Sequence, residues 1–159
     1  MVQIRTSFPA SRLPSPPTPT GDRRPVRRVM EPLISIQIQG DRPCFLPGDV
    51  IECDYQIDAV LPEELVAVEA SVLWYTEGKG GEDMGVHYFE RRLPADAEGD
   101  LRQWRRFQTA LPNSPLTYTG SLIQVHWCIR VRAILKHGKQ YCCEHPFRLG
   151  RVGLATLSE

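Results

Sequence analysis

Fifteen residues near the C-terminal end, Ser121 to Leu135 (SLIQVHWCIRVRAIL), constrain the fold more than any other stretch. Read with period two, Ile123, Val125, Trp127, Ile129, Val131, Ala133 and Leu135 point one way. Gln124, His126, Cys128, Arg130 and Arg132 point the other. A helix would scatter these residues around its circumference. Strict alternation predicts a long β-strand with one buried and one wet face. It also predicts antiparallel neighbours, because parallel strands are usually buried on both faces and read as continuous apolar runs.

The rest of the chain supplies partners for that strand. Ile34, Ile36 and Ile38 alternate in a first strand, closed by Gly40-Asp41. Pro47-Gly48-Asp49 is a turn signal, and Ile51, Cys53, Tyr55 and Ile57 then mark a second strand. A third has Val66, Val68, Ala70, Val72 and Trp74 on one face, opposite Glu69 and Ser71. Gly78 to Gly85 reads as a long charged loop, His87 to Arg92 as a short fourth strand and Ala95 to Asp100 as a turn-rich link. A fifth strand is expected over Arg102 to Leu111. After the long strand, Lys136 to Lys139 turns the chain into a last one, Gln140 to Leu149, with Tyr141, Cys143, His145, Phe147 and Leu149 on one face. About seven strands without a convincing helix predict an all-β, antiparallel, immunoglobulin-like sandwich over residues 31–150.

Residues 1–30 differ in character. They hold six of the fourteen prolines and six arginines against Asp22 alone, with no apolar periodicity. The composition predicts a disordered tail. Its overlapping P-x-x-P spacings (Pro14, Pro16, Pro17, Pro19) fit a solvated linker. With a formal net charge of zero for the whole chain, the remainder is acidic. Residues 151–159 read as a second tail. No run approaches the roughly 18 apolar residues of a membrane-spanning helix, and proline breaks any signal-peptide core. Five cysteines, an odd number, argue against a complete disulfide framework. A cytoplasmic protein is expected.

Cys53, Trp74 and Cys128 fall in the order of an immunoglobulin disulfide and its tryptophan. The tyrosine that should precede the second cysteine by two is His126, and Cys128 lies on the outer face of its strand. A different resemblance runs through the whole body. Arg106 to Gly120 (RFQTALPNSPLTYTG), followed by Trp127, Ile129 and Val131, resembles the arrestin N-terminal domain: a strand ending in Leu-Pro, a proline-rich element with an aromatic, a glycine, then a long β-branched strand. Pro47-Gly48-Asp49-Val50 resembles that family's start to its second strand, and Pro146-Phe147-Arg148-Leu149 its closing strand. Pro112 and Pro115 stop ladder pairing and Gly120 permits the turn, so the local physics agrees. A Pro-Pro-x-Tyr motif and the phosphate-sensing lysine pair have no counterpart here, and the chain ends where a second arrestin domain would start. The resemblance implies a stand-alone arrestin-like module, similar to bacterial sporulation-control-type arrestin-like proteins, acting in protein interaction without catalysis.

The chemistry-bearing residues agree with that expectation. Cys143 and His145 share a strand face, with Cys44, Cys53 and His137 as further ligand candidates. No C-x-x-C or H-x-x-x-H spacing accompanies them, so no metal or other cofactor is expected. His87, His126, His137 and His145 sit in no nucleophile elbow, and Gly78-Lys79-Gly80-Gly81 lacks the Lys-Ser/Thr ending of a phosphate loop. The competing function is nucleic-acid binding through the arginine tail, with Trp104-Arg105-Arg106-Phe107 as an aromatic and basic mix. The acidic body opposes it. A protein partner is expected at loops or a sheet edge, with Lys79, Glu82, Asp83 and His87 as candidate contact residues.

Overall fold

Among the described residues nine strands form in chain order: β1 (Leu33–Ile38), β2 (Cys44–Phe45), β3 (Val50–Asp58), β4 (Leu65–Gly78), β5 (Met84–Arg92), β6 (Arg105–Ala110), β7 (Tyr118–Thr119), β8 (Ile123–Leu135) and β9 (Gln140–Leu149). The structure is a computed structural model that describes residues 31–150. The expectations for the two tails lie outside the described residues. One sheet has the order β1-β3-β6, and the other β2-β9-β8-β4-β5 with β7 alongside β8. The seven expected strands are all present. The two extra ones, β2 and β7, are two residues each, too short for any alternation to reveal.

The sheets face each other across the alternating apolar positions. Ile51, Cys53, Tyr55 and Ile57 of β3 meet Val68, Ala70 and Val72 of β4 and Trp127, Ile129, Val131 and Ala133 of β8 in one cluster. Each fully buried Ile or Val among them contributes about 1.5–3 kcal/mol on burial. Aromatic rings fill the ends: Phe147 packs edge-on to Phe45 at 5.8 Å, and Tyr88 stacks on Phe107 at 4.9 Å.

Five details differ from the sequence reading. The pairing of β2 with β9 is parallel, an exception in an otherwise antiparallel fold. Val66 is exposed and Ala67 buried, because a register shift between Leu65 and Ala67 inverts the alternation at the start of β4. Met84 and Gly85 belong to β5, so the loop is shorter than expected, and β6 starts at Arg105 after a turn through Arg102. Cys128 and its cross-strand partner Leu73 point outward yet are buried, at 2% and 1% exposure. The outer face of the large sheet is therefore not uniformly wet. Burial, with the Glu144 charge second, pushes the Cys128 thiol up to about 12.

Candidate protein-interaction surface

The β4–β5 hairpin forms one edge of the large sheet and carries three exposed apolar side chains, Met84, Val86 and Phe89. Its tip is closed by backbone and hydroxyl groups. Thr76 N–H donates to Asp83 O at 2.9 Å, and Asp83 N–H donates to Thr76 Oγ1 at 2.9 Å. Lys79 N–H donates to Leu122 O, which ties the tip to the β7–β8 turn. Gly78 is required at this junction. Its φ is +138°, and a Cβ there would lie 2.2 Å from Leu122 O.

Of the residues singled out from sequence, Lys79, Glu82 and Asp83 sit together on this tip. His87 lies apart from them. In the β4–β5 ladder Val72 faces Tyr88 and Leu73 faces Val86, so His87 is the extra residue of a bulge. A bulge re-aims a side chain, here toward the other sheet. His87 Nε2 lies 2.7 Å from Ala110 O, with the ring edge-on to Trp127 at 6.3 Å. It fastens β5 to β6 across the open side of the sandwich.

A second fastening sits further along the same two edges. The Glu90 carboxylate accepts Tyr55 Oη at 2.8 Å, Tyr88 Oη at 3.0 Å and Arg105 Nη2 at 3.2 Å. Burial alone would raise its pKa, but the hydrogen bonds from Arg105, Tyr55 and Tyr88 outweigh that and hold it below the ordinary 4.5. The same burial and the carboxylate's charge push the Tyr55 hydroxyl up strongly.

With its inner face anchored, β5 turns an apolar face outward. Met84, Val86 and Phe89 are exposed at 54, 52 and 55% and line one depression with Leu73, Ser71, Glu69, Arg130 and Arg132. Charged pairs border it. Glu69 accepts Arg91 Nη1 at 2.8 Å and lies 3.6 Å from Arg132, while Arg130 pairs with Glu144 at 2.7 Å. Beyond β5 no strand follows among the described residues, so its outer backbone edge is unpaired. Met84, Val86 and Phe89 were not singled out from sequence. Their signal is an alternation Met84–Val86 that changes phase before Phe89, which is the bulge itself.

The metal-ligand candidates do not converge. Cys44 Sγ donates to Gly150 O, Cys53 is enclosed in the core, and Cys143 and His145 stand on β9. Among the described residues no group of three or more His, Cys, Asp or Glu is placed to hold a metal ion. All five cysteines are unpaired. No helix of the described residues is long and apolar enough to cross a membrane.

The two-sheet order, with its proline-bounded link before β8 and parallel return of β2, is an all-β sandwich, as the resemblance to the arrestin N-terminal domain implies. Among solved structures the chain is similar to Spo0M, a sporulation control protein from Bacillus subtilis, with a TM-score of 0.51 over 76% of this chain at 7% identity. The matched part spans 50% of the Spo0M chain, and at that identity the likeness is one of fold. No protein-family profile matches the chain. No curated protein matches it either.

Proposed function

We propose that this chain is a non-catalytic, cytoplasmic interaction module, an adaptor or scaffold that takes a protein partner along the β4–β5 hairpin. One observation carries the reading. Three large apolar side chains, Met84, Val86 and Phe89, are held more than half exposed on a strand whose outer edge has no partner. Contiguous exposed apolar surface on an edge strand is costly to keep in water and invites strand addition. An incoming extended segment would hydrogen-bond to the β5 edge and lay alternate side chains beside Met84, Val86 and Phe89. Lys79, Glu82 and Asp83 at the tip would select among partners by charge. The unpaired cysteines support a reducing compartment.

Quantitative affinity capture tests the reading, with wild type run beside Phe89→Asp and beside Glu82→Lys. A shared set of proteins should fall roughly tenfold with Phe89→Asp, the loss of a central anchor, and less with Glu82→Lys. Capture unchanged by Phe89→Asp removes the β5 surface from consideration. A captured set that disappears on nuclease treatment favours nucleic-acid binding instead.

A further inference from the structure

We propose that the outer face of the β1-β3-β6 sheet is a binding site for arginine side chains, and that its occupant is this chain's own Arg23–Arg28 segment. The site is on the opposite sheet from the β5 surface and does not depend on it.

The face is built around Trp104, which immediately precedes β6 and is 54% exposed. Arg106 lies over its ring at 4.9 Å. Arg106 is itself held by Asp54, at 2.7 Å and 3.0 Å through two guanidinium nitrogens, and by Glu52 at 3.0 Å. With Arg106 over the ring, the indole still keeps half of its surface exposed. A guanidinium stacks on such a ring with both dispersion and cation–π attraction. One shallow depression beside Trp104 is lined by Ser35, Gln37, Asp54 and Gln56, and a second continues from Gln56 to Asp58 and Asp100. Arg102 also lines the second and holds both Asp100 oxygens, as Arg106 holds those of Asp54, so the oxygens left to accept an arginine's N–H donors are those of Ser35, Gln37, Gln56 and Asp58.

The charge of the face selects the ligand's sign. Arg102 and Arg106 stand against Glu52, Asp54, Asp58, Glu63 and Asp100. The excess is acidic, which repels a phosphate backbone and attracts a cation. The tail has the opposite character, with Arg23, Arg24, Arg27 and Arg28 beside Asp22. It also enters the domain at this face. Leu33, the first residue of β1, is paired with Asp58 at the rim of the second depression. Arg28 is five residues before Leu33, a reach of about 16 Å at strand spacing. Covalent attachment at that distance gives the segment a high effective concentration over the face.

The test uses the full chain, labelled with nitrogen-15, as wild type and with Arg23→Gln, Arg24→Gln, Arg27→Gln and Arg28→Gln together. The indole N–H signal of Trp104 and the side-chain amide signals of Gln37 and Gln56 should differ between the two proteins. The Trp127 indole signal should not. The difference should be unchanged by dilution and should collapse in about 0.5 M salt, where exposed charges are screened. In parallel, Trp104→Ala and Asp58→Asn should speed tryptic cleavage at Arg27 and Arg28 several-fold. Trp104 signals indifferent to the arginine substitutions overturn the proposal, as do tail-dependent shifts confined to the β5 face. A difference that vanishes on dilution also overturns it, because the occupant is then a second copy's tail. Cleavage rates equal in all variants count against it in the same way.

Discussion

The indole N–H of Trp127 donates to the carbonyl of Pro115 at 2.8 Å. Trp127 is 1% exposed in the middle of β8, and Pro115 belongs to the irregular segment that carries the chain from β6 to β7. A core side chain thereby holds a segment that has no ladder of its own. Trp127→Ala removes both the ring and the bond, and a loss of about 3–5 kcal/mol is expected, measured by urea unfolding. Trp127→Phe keeps most of the volume and loses the donor, so a much smaller loss, about 1–2 kcal/mol, is expected. Normal unfolding of the alanine variant would mean that β8 is not a core strand.

Glu90 predicts how the fold responds to acid. Its carboxyl titrates below the ordinary 4.5 in the folded protein because Arg105, Tyr55 and Tyr88 hydrogen-bond the charged form. In the window below 4.5 the unfolded chain therefore binds more protons, and stability falls as pH falls through the folded value. Glu90→Gln should lower stability at pH 7 by about 1–3 kcal/mol and should flatten the decline below pH 4.5. Parallel acid titrations of both proteins by circular dichroism check this. An undiminished decline in the variant would assign the acid sensitivity to other carboxylates, of which Asp49 and Asp100 are also held low.

Gly85 gives a steric prediction. It faces Trp74 across the β4–β5 ladder, and a Cβ there would lie 2.3 Å from the indole Nε1. Gly85→Ala must displace the ring or bend β5, at a cost of about 1–3 kcal/mol. Gly81→Ala, four residues earlier in the hairpin tip and with open space at its Cβ, should change stability by less than about 0.5 kcal/mol. Equal melting temperatures for the two variants would contradict the Trp74–Gly85 packing.

The hairpin tip separates charge from structure. Thr76 Oγ1 accepts Asp83 N–H, so Thr76→Val should cost about 1 kcal/mol. Asp83→Lys loses the bond that Met84 N–H donates to Asp83 Oδ1 and should also be mildly destabilising. Glu82→Lys changes charge alone, and its melting temperature should match wild type while capture weakens. Melting curves and capture on the same preparations decide it.

Alternation was legible wherever a strand ran long with one face in the core. Val131 and Ala133 of β8 and Ile51 to Ile57 of β3 are buried on the face that their spacing dictates. Phase errors arose where the backbone slips. The shift at Leu65–Ala67 put Val66 outside, and the bulge at His87 hid the exposed face of Met84, Val86 and Phe89. A slip of one residue exchanges the two faces of a strand, and no composition signal marks where it occurs. The outward burial of Cys128 and Leu73 depends on how the side chains around them lie, which period two does not encode. His87 shows the same limit for the candidate site. It is a candidate contact residue by sequence, and the bulge turns it to Ala110 instead.

Leu149 is where the chain closes on itself. Its N–H reaches Thr117 Oγ1 and its carbonyl accepts Thr117 N–H, while Arg148 and Gly150 bond to Pro43 and Phe45. Three regions far apart in sequence thus meet at a single latch, and the last piece to arrive is the C-terminal one. During synthesis the N-terminal β2 has nothing to pair with until β9 leaves the ribosome. The sandwich must wait, half-zipped, with its large sheet lacking a strand. Contacts of such long sequence separation slow folding and expose apolar surface in the interval. The nascent domain is therefore the form of this protein most in need of a chaperone.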